Sequence, residues 1–337
     1  VMGAVSIVDY RILIGHGWSC YAAALVLLFG VSVVGAISGG AARWIEIGPL
    51  RFQPSEMSKI LLIVFFARLF HDFQDKMDRA VYVFFFVGVL LPPAALILEQ
   101  PDLKNTITVV VIFCIMIYVA GLSYKIIGGA LLIAVPLTII FLSIVVQPDQ
   151  KLLKDYQRSR IMSFLYPENE EYSDDIEQQN NSKTAIASGE LVGKKLSGDD
   201  STTSVNQGNF VAENQTDFIF AVAGEEYGFI GCVIIVLLLL AIAFECIRMS
   251  LRAKDLSGKV LCCGIGGLIA LQSFINICVA TGLAPNTGTP LPFVSYGLTS
   301  LVSLYIGMGL VLNVGLQSST YNKEIIQKEI DRREDYL

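Results

Sequence analysis

Acidic side chains lie close to the ends of long apolar runs in this sequence. Asp217 stands at the start of one such run, within the segment Glu213–Phe220, and Glu225 follows about two helical turns later. A carboxylate in this position could act as a general base on an incoming hydroxyl group. The alternative is that Asp217 only caps the helix or complements its dipole. Because the chain has only two histidines, we expect acid–base chemistry to rest on carboxylates.

A second group of charges surrounds a proline that suits the first turn of a helix, Pro54. Glu56 and Lys59 are three residues apart, so they share one helix face. Charges at membrane depth are costly, tend to pair and often mark a site. Arg43 and Arg51 lie nearby and favour anion binding, because guanidinium groups match phosphate geometry. The alternative is a structural ion pair that anchors the helix.

Two further polar segments interrupt the apolar runs. One contains Asp102 within Glu99–Leu103, where Pro and Asp also make ordinary turn chemistry. The other is Gly282–Gly297, with three prolines and three glycines. It predicts an irregular segment, which is tolerated at membrane depth only where it is buried or lines a cavity. A plain turn and an ordinary connection remain the respective alternatives.

Composition indicates an integral membrane protein. Of the 337 residues, 54% are hydrophobic and only 16% are charged. The apolar runs are continuous and about 18 to 25 residues long, which predicts helices that cross the bilayer rather than a barrel. The net charge of −6 comes with no basic face, so we predict no nucleic-acid partner. The seven cysteines show no CxxC spacing, which argues against a zinc site or a disulfide framework.

The fold class predicted is therefore an all-α polytopic membrane protein with eight full spans and one partial span. Residues 1–11 are expected to be the end of a span whose beginning is absent. The predicted full spans are 18–37, 53–71, 80–98, 103–121, 124–146, 216–246, 258–282 and 293–316.

The distribution of Lys and Arg predicts the orientation. Basic residues concentrate in alternate short connections and in the last segment, which places the C-terminal tail, 317–337, in the cytoplasm. The segment 148–215 is then a large extracellular loop, and 1–337 form a single integral membrane domain. Within the loop, 168–181 are predicted to be mobile, and 182–198 to form a short helix and a turn. The alternative for the loop is a solvated disordered insert.

Six segments occur in a characteristic order: Ala42–Ile45, Phe52–Glu56, Gln100–Leu103, Thr216–Phe220, Gly224–Gly228 and Pro290–Gly297. Together they resemble the SEDS family of bacterial cell-shape, division and sporulation proteins (RodA, FtsW and SpoVE). The resemblance covers essentially the whole chain and leans toward the RodA branch. It implies a SEDS-type helical bundle of ten spans with both termini in the cytoplasm.

The resemblance also implies an activity and partners. Members of this family are peptidoglycan glycosyltransferases that polymerise lipid II on the outer face of the bacterial cytoplasmic membrane. They work with a class B penicillin-binding protein, the transpeptidase that crosslinks the strands, and with other elongasome or divisome membrane proteins. The expected ligands are lipid II and the nascent glycan strand.

The family's key aspartate falls on Asp217, which implies a catalytic base. Its Glu and Lys of the PSE-x-x-K helix fall on Glu56 and Lys59, and its preceding arginine falls on Arg51. We expect Asp217 to take the proton from the acceptor 4-hydroxyl in an inverting transfer that expels undecaprenyl pyrophosphate.

The remaining candidates are substrate-binding residues. Arg43, Arg51 and Lys59 are expected to stabilise the diphosphate, and Glu56 to orient Lys59 or tune the proton balance. Glu56, Asp102 and Glu225 are further predicted substrate-binding residues. A divalent cation, Mg²⁺ or Mn²⁺, could assist, but its ligands are unknown because no convincing metal cage is present in the sequence.

The loop departs from the family pattern at one informative place. Ser188–Leu191 stands where the family has a Gly-Gly pair, so that Glu190 replaces a glycine. Departures of this kind bear on loop geometry and substrate contacts rather than on the class of reaction.

Two other functions fit some of the same features. A transporter or flippase of the lipid-linked precursor would also use intramembrane charge and broken helices. A non-enzymatic scaffold of the cell-wall synthesis complex would use the apolar span faces and the long loop.

Overall fold

The structure is a computed structural model, and thirteen α-helices account for most of the part of the chain that it describes. It describes residues 1–34, 36–38, 41–47, 50–77, 79–100, 102–145, 147, 155–166, 173–197 and 216–334. The helices are α1 Met2–Ile7, α2 Tyr10–Gly15, α3 Gly17–Val34, α4 Pro54–Asp72, α5 Ala80–Glu99, α6 Leu103–Val119, α7 Tyr124–Val145, α8 Asp155–Leu165, α9 Ser173–Ser188, α10 Lys194–Ser197, α11 Ile219–Arg252, α12 Leu256–Ala280 and α13 Leu298–Glu334.

Each of the eight predicted spans overlaps a helix, from α3 to α7 and from α11 to α13. The predicted bounds are wrong at two places, since α3 ends at Val34 and α13 begins only at Leu298. Four of the described helices are long and apolar enough to cross a membrane by themselves, in the ranges Val81–Glu99, Ile219–Arg252, Leu256–Ala280 and Leu298–Gln317. The helix α4 is less apolar, since its 19 residues include Glu56, Lys59, Arg68 and Asp72.

The segment 148–215 contains regular structure that the sequence did not indicate. Its residues 173–181 were predicted to be mobile, yet they belong to α9. The predicted short helix and turn over 182–198 correspond to the end of α9, a turn and α10. Residues 148–154, 167–172 and 198–215 of the loop lie outside the described part of the chain.

The chain divides into two compact units. Unit 1 comprises Val1–Leu122, Ile242–Leu268 and Leu298–Leu337, and unit 2 comprises Ser123–Ala241 and Ile269–Gly297. The long helices α11 and α12 each contribute to both units. The prediction of one integral membrane domain over 1–337 stays a prediction.

Aromatic side chains form the core of unit 1 around α4. Phe66 and Phe70 stack with ring centroids 5.9 Å apart, and Phe113 of α6 meets Phe66 edge-on at 5.1 Å. Phe86 of α5 meets Phe70 edge-on at 5.3 Å. Most residues of α4 are buried, and they include the polar residues Ser55, Glu56 and Lys59 of its first turns.

A small antiparallel sheet precedes α4, which an all-α prediction did not include. Its strands β1 Ala36–Ser38, β2 Ala41–Ile47 and β3 Leu50–Phe52 pair in the order β1-β2-β3. Because β3 ends just before Pro54, which is the first residue of α4, the sheet determines how the chain enters that helix.

The core of unit 2 joins α9 to the start of α11 and the end of α12. Ala185 of α9 packs with Phe218, Ala221 and Val279. Ser182 Oγ donates a hydrogen bond to the Ala280 carbonyl at 2.8 Å. A helix of the large loop is thereby attached to both neighbouring helices.

The helix α11 is interrupted at Gly228, whose φ of 63° and ψ of −163° are not helical. A residue with a Cβ atom strongly disfavours this backbone conformation. The glycine therefore separates a short first part of α11 from the long part that continues to Arg252.

Candidate functional site

A buried cluster of polar side chains lies where α4 and α6 begin. At its centre, Lys59 Nζ donates to Glu56 Oε1 at 2.7 Å and to Asn105 Oδ1 at 3.1 Å. The side chains of Lys59 and Glu56 are only 1% and 3% exposed, so little water reaches the pair. The cluster, called here the α4–α6 polar cluster, consists of Gln53, Ser55, Glu56, Lys59, Asp102 and Asn105.

Asp102 is the main acceptor of the α4–α6 polar cluster. Its Oδ1 accepts the Asn105 backbone N–H at 3.3 Å and thereby caps α6. Its Oδ2 accepts from Asn105 Nδ2 at 2.8 Å, from Ser55 Oγ at 3.3 Å and from Gln53 Nε2 at 3.4 Å. Helix capping thus accounts for part of what Asp102 does, and its predicted contact with substrate stays a prediction.

The α4–α6 polar cluster contains two acids and one base, so its formal charge is −1. Amide and hydroxyl donors solvate the carboxylates in place of water. Removal of one member of a buried ion pair typically costs about 3–5 kcal/mol, because the other charge remains buried without compensation. The predicted sharing of one helix face by Glu56 and Lys59 is therefore confirmed as an ion pair, while their predicted contact with substrate is untested.

The two candidate arginines precede this cluster in the sheet. Arg51 in β3 is exposed and pairs in register with Glu46 of β2. Thr299 Oγ1 donates to the Arg51 carbonyl and accepts the Gln53 N–H, both at 3.2 Å. Arg43 belongs to β2, and its side chain lies outside the described part of the structure.

In unit 2, Asp217 lies in a turn rather than in a helix. The sequence predicted it in the first turn of a span, but α11 begins only at Ile219. The Asp217 carbonyl accepts a hydrogen bond from Asn276 Nδ2 at 2.7 Å, and the neighbouring Phe218 is 1% exposed. The carboxylate is half-buried, and no described residue gives it a hydrogen bond or an ion pair. Its backbone is therefore held while its side chain stays available.

The irregular segment that follows α12 supports the same turn. Asn276 Nδ2 also donates to the Thr289 carbonyl at 2.7 Å. Ser295 Oγ donates to the Thr216 carbonyl and accepts the Leu291 N–H at 2.7 Å. These bonds attach the segment between α12 and α13 directly to Thr216, and to Asp217 through Asn276. The predicted irregular segment is confirmed, and it is partly buried.

Glu225 lies further along α11 and is paired with a lysine of the large loop. Lys194 Nζ donates to Glu225 Oε1 at 2.7 Å, and the Glu225 side chain is 2% exposed. The next pair, Lys195 and Glu226, is longer at 3.7 Å and far more exposed. A hydrogen bond to the Tyr227 hydroxyl, together with Glu226, raises the pKa of Lys195.

The structure brings some of the predicted site residues into contact within one unit. Glu56, Lys59 and Asp102 meet in unit 1, whereas Asp217 and Glu225 belong to unit 2. The residues that support these site residues were not predicted from the sequence. The clearest sequence feature that could have identified them is an amide side chain within an apolar run. The supporting residues are Asn105, Lys194, Asn276, Ser295 and Thr299.

These features define a multi-pass α-helical membrane protein with a buried charged cluster and an available carboxylate. A family model described as "cell cycle protein", FTSW_RODA_SPOVE, matches residues 1–320. The chain belongs to this family.

The relatives are similar along almost the whole chain. Peptidoglycan glycosyltransferase MrdB of Escherichia coli K12 is 34% identical over 317 residues, which are 92% of this chain and 81% of the relative. A probable peptidoglycan glycosyltransferase FtsW of Geobacter sulfurreducens is 35% identical over 93% of this chain and 81% of the relative.

Solved structures share the fold. A structure from work on how a peptidoglycan synthase complex coordinates polymerization and crosslinking has a TM-score of 0.77 at 28% identity, over 94% of this chain and 85% of the other. The crystal structure of rod shape determining protein RodA from Thermus thermophilus has a TM-score of 0.65 at 25% identity, with the same coverage. The all-α polytopic fold predicted from the sequence is confirmed.

Proposed function

We propose that this protein is a peptidoglycan glycosyltransferase that adds a lipid-linked glycan strand to the 4-hydroxyl group of lipid II. The observation that carries the proposal is the Asp217 carboxylate, half-buried and without a described partner on a backbone held by Asn276. The names of the relatives, peptidoglycan glycosyltransferases, support the same class of reaction.

In the proposed reaction, Asp217 accepts the proton of the acceptor 4-hydroxyl group. The oxygen attacks the anomeric carbon of the donor strand while the bond from that carbon to the diphosphate oxygen breaks. The bonding electrons leave with undecaprenyl pyrophosphate. Attack opposite an α-linked leaving group inverts the centre and forms a β-1,4 bond. A carboxylate already engaged in an ion pair would accept the proton less readily, since pairing stabilises its ionised form.

Charge on the departing diphosphate needs cationic groups. Of the three predicted cations, Arg43, Arg51 and Lys59, the described geometry favours Arg51 because its side chain is exposed. Lys59 is 1% exposed and already bonded to Glu56 and Asn105. Within this proposal, the ion pair of Lys59 mainly maintains the local fold, and Asp102 holds the start of α6.

A divalent cation, Mg²⁺ or Mn²⁺, belongs to the proposal only as an assistant at the diphosphate. Among the described residues, no group of three or more His, Cys, Asp or Glu side chains could hold a metal ion. The described side chains thus provide no complete metal cage, and we derive no step from a metal. Activity measured after chelation and after return of each ion tests whether one is needed.

The proposal includes a location and a partner. From the distribution of basic residues, we propose that the C-terminal tail lies in the cytoplasm and that Asp217 lies at the outer face of the bacterial membrane. A class B penicillin-binding protein would crosslink the product, with other membrane proteins of elongation or division. The support is that a structurally similar protein comes from a complex that coordinates polymerization and crosslinking.

The test uses vesicles that contain the purified protein, with and without a candidate transpeptidase partner, and labelled lipid II. We expect long glycan strands that a β-1,4-specific muramidase cleaves. Movement of labelled lipid II across the vesicle membrane without polymer would contradict the proposal and indicate a transporter. Absence of both activities in the presence of the partner would indicate a scaffold.

A further inference from the structure

We propose that the α9–α10 segment, residues 173–197, positions Asp217, and that the ion pair of Lys194 with Glu225 holds this segment in place. The inference rests on the proposed function, since it concerns how the carboxylate of that reaction is placed. Under it, Lys194 and Glu225 are positioning residues that act through the fold. This role of Glu225 differs from the substrate contact that the sequence predicted.

The first observation is that the segment satisfies backbone groups freed by the break in α11. At Gly228 the chain leaves the helical conformation, so the amides that follow need partners outside the helix. The Phe229 N–H donates to the Glu190 carbonyl at 2.9 Å, and the Ile230 N–H donates to the Leu191 carbonyl at 3.2 Å. The turn between α9 and α10 thus takes the place of the missing helical turn.

The second observation is that glycines allow the two backbones to approach. A Cβ atom on Gly189 would collide with the Gly224 carbonyl, and one on Gly193 would collide with the Glu226 carbonyl. A Cβ atom on Gly228 would come within 2.7 Å of the Leu191 carbonyl. Contact this close over three positions indicates a docked segment rather than a loop lying against the helix.

The third observation is the difference between two adjacent ion pairs. The Lys194 and Glu225 side chains are 20% and 2% exposed, whereas those of Lys195 and Glu226 are 60% and 37% exposed. Removing one member of a buried ion pair is typically costly. An exposed pair contributes little because water and salt screen it. The inner pair should therefore matter for docking and the outer pair should not.

The last observation connects the docked segment to Asp217. Ala185 and Ile186 of α9 pack against the group that contains Phe218 and Ala221. Gln179 Nε2 donates to the Val279 and Ala284 carbonyls at 3.1 and 2.7 Å. Phe218 directly follows Asp217, so movement of α9 would uncover the residue that anchors the Asp217 turn.

The experiment compares Lys194→Met with its neighbour Lys195→Met in the full chain, supplied with partner and lipid II. Two quantities are measured: steady-state kcat and KM, and hydrogen exchange at the Phe229 and Ile230 amides. We expect Lys194→Met to lower kcat by about 10- to 100-fold with little change in KM, since small misplacements reduce rate strongly. The same variant should exchange both amides faster, because these hydrogen bonds open when the segment undocks.

Lys195→Met should match the wild type in both quantities. The double variant Lys194→Glu with Glu225→Lys exchanges the two charges and should recover both kcat and slow amide exchange relative to Lys194→Met. It thereby separates loss of the ion pair from a general disturbance of the fold. A fall in kcat without faster exchange would overturn the inference, and so would faster exchange with unchanged kcat. Full polymerisation by Asp217→Asn would overturn the proposed base, whatever the exchange data show.

Discussion

The α4–α6 polar cluster and the Asp217 turn use polar groups in opposite ways. In the cluster, Glu56 and Lys59 form an ion pair with each other and are almost fully buried. In the turn, Asn276 and Ser295 donate to the backbone carbonyls of Asp217 and Thr216, and no described residue binds the Asp217 carboxylate. One region uses its side chains to hold helices together, and the other uses its backbone to present a side chain.

The difference teaches where to look for chemistry in a protein of this kind. A buried ion pair contributes to structure rather than to chemistry, because each member sets the proton affinity of the other. A carboxylate on a held backbone keeps its lone pairs for a ligand. Variants should therefore separate stability from activity in the turn, and lower both together in the cluster.

The largest effect on stability is expected for Lys59→Met. The variant leaves Glu56 buried at 2% exposure without its cation, which should lower the free energy of unfolding by about 3–5 kcal/mol. Thermal unfolding in detergent measures the loss, and polymerase activity should fall in parallel with the folded fraction.

The matched control for Lys59→Met is the double variant with Glu56→Gln, which removes both charges and should recover much of the stability. If Lys59→Met were as stable as the wild type yet inactive, the comparison would fail. Lys59 would then act on the substrate itself.

A smaller loss of stability is expected for Asn276→Leu in unit 2. The variant removes both 2.7 Å hydrogen bonds of Asn276 Nδ2. The Asp217 carbonyl can bond water instead, but the Thr289 carbonyl is buried, which costs about 1–3 kcal/mol. Activity should fall by more than this loss of stability explains, because the Asp217 turn is released. Equal falls in activity and folded fraction would show that Asn276 only stabilises the fold.

The smallest effect is a gain in stability, which is expected for Glu190→Gly. Glu190 has φ of 47°, and a left-handed conformation costs a residue with a side chain about 1–2 kcal/mol. Because glycine loses more entropy on folding, we expect the melting temperature to rise slightly. The same change at Glu177, which is exposed within α9, should lower it through the low helix propensity of glycine. A lower melting temperature for Glu190→Gly would mean that its side chain contributes to docking.

Local patterns in the sequence predicted the helices and the Glu56–Lys59 pair, because both depend on hydrophobic length and on spacing within one helix. Pro54 at the start of α4 was predicted for the same reason. The break at Gly228 and the attachment of β3 depend on partners distant in sequence, such as Leu191 for Ile230 and Thr299 for Arg51. No pattern within one segment reports such partners.

The start of α11 shows most clearly how far a helix boundary can be predicted from the sequence. The apolar run continues through Phe218, which suggested a helix that includes Asp217. Asn276 and Ser295 instead take up the carbonyls of Asp217 and Thr216, and the helix begins two residues later. The replacement of a family glycine by Glu190 was visible in the sequence, but its positive φ was not.

The central claim is that the Asp217 carboxylate is the base of glycosyl transfer. The most direct test is the yield of glycan polymer from lipid II by Asp217→Asn, with its transpeptidase partner and equal amounts of folded protein. Glu226→Gln is the matched control, since it makes the same change at an exposed carboxylate of the same unit. The account predicts a fall of about 10²- to 10⁴-fold for Asp217→Asn and none for the control. Polymer yield near that of the wild type from folded Asp217→Asn would contradict it.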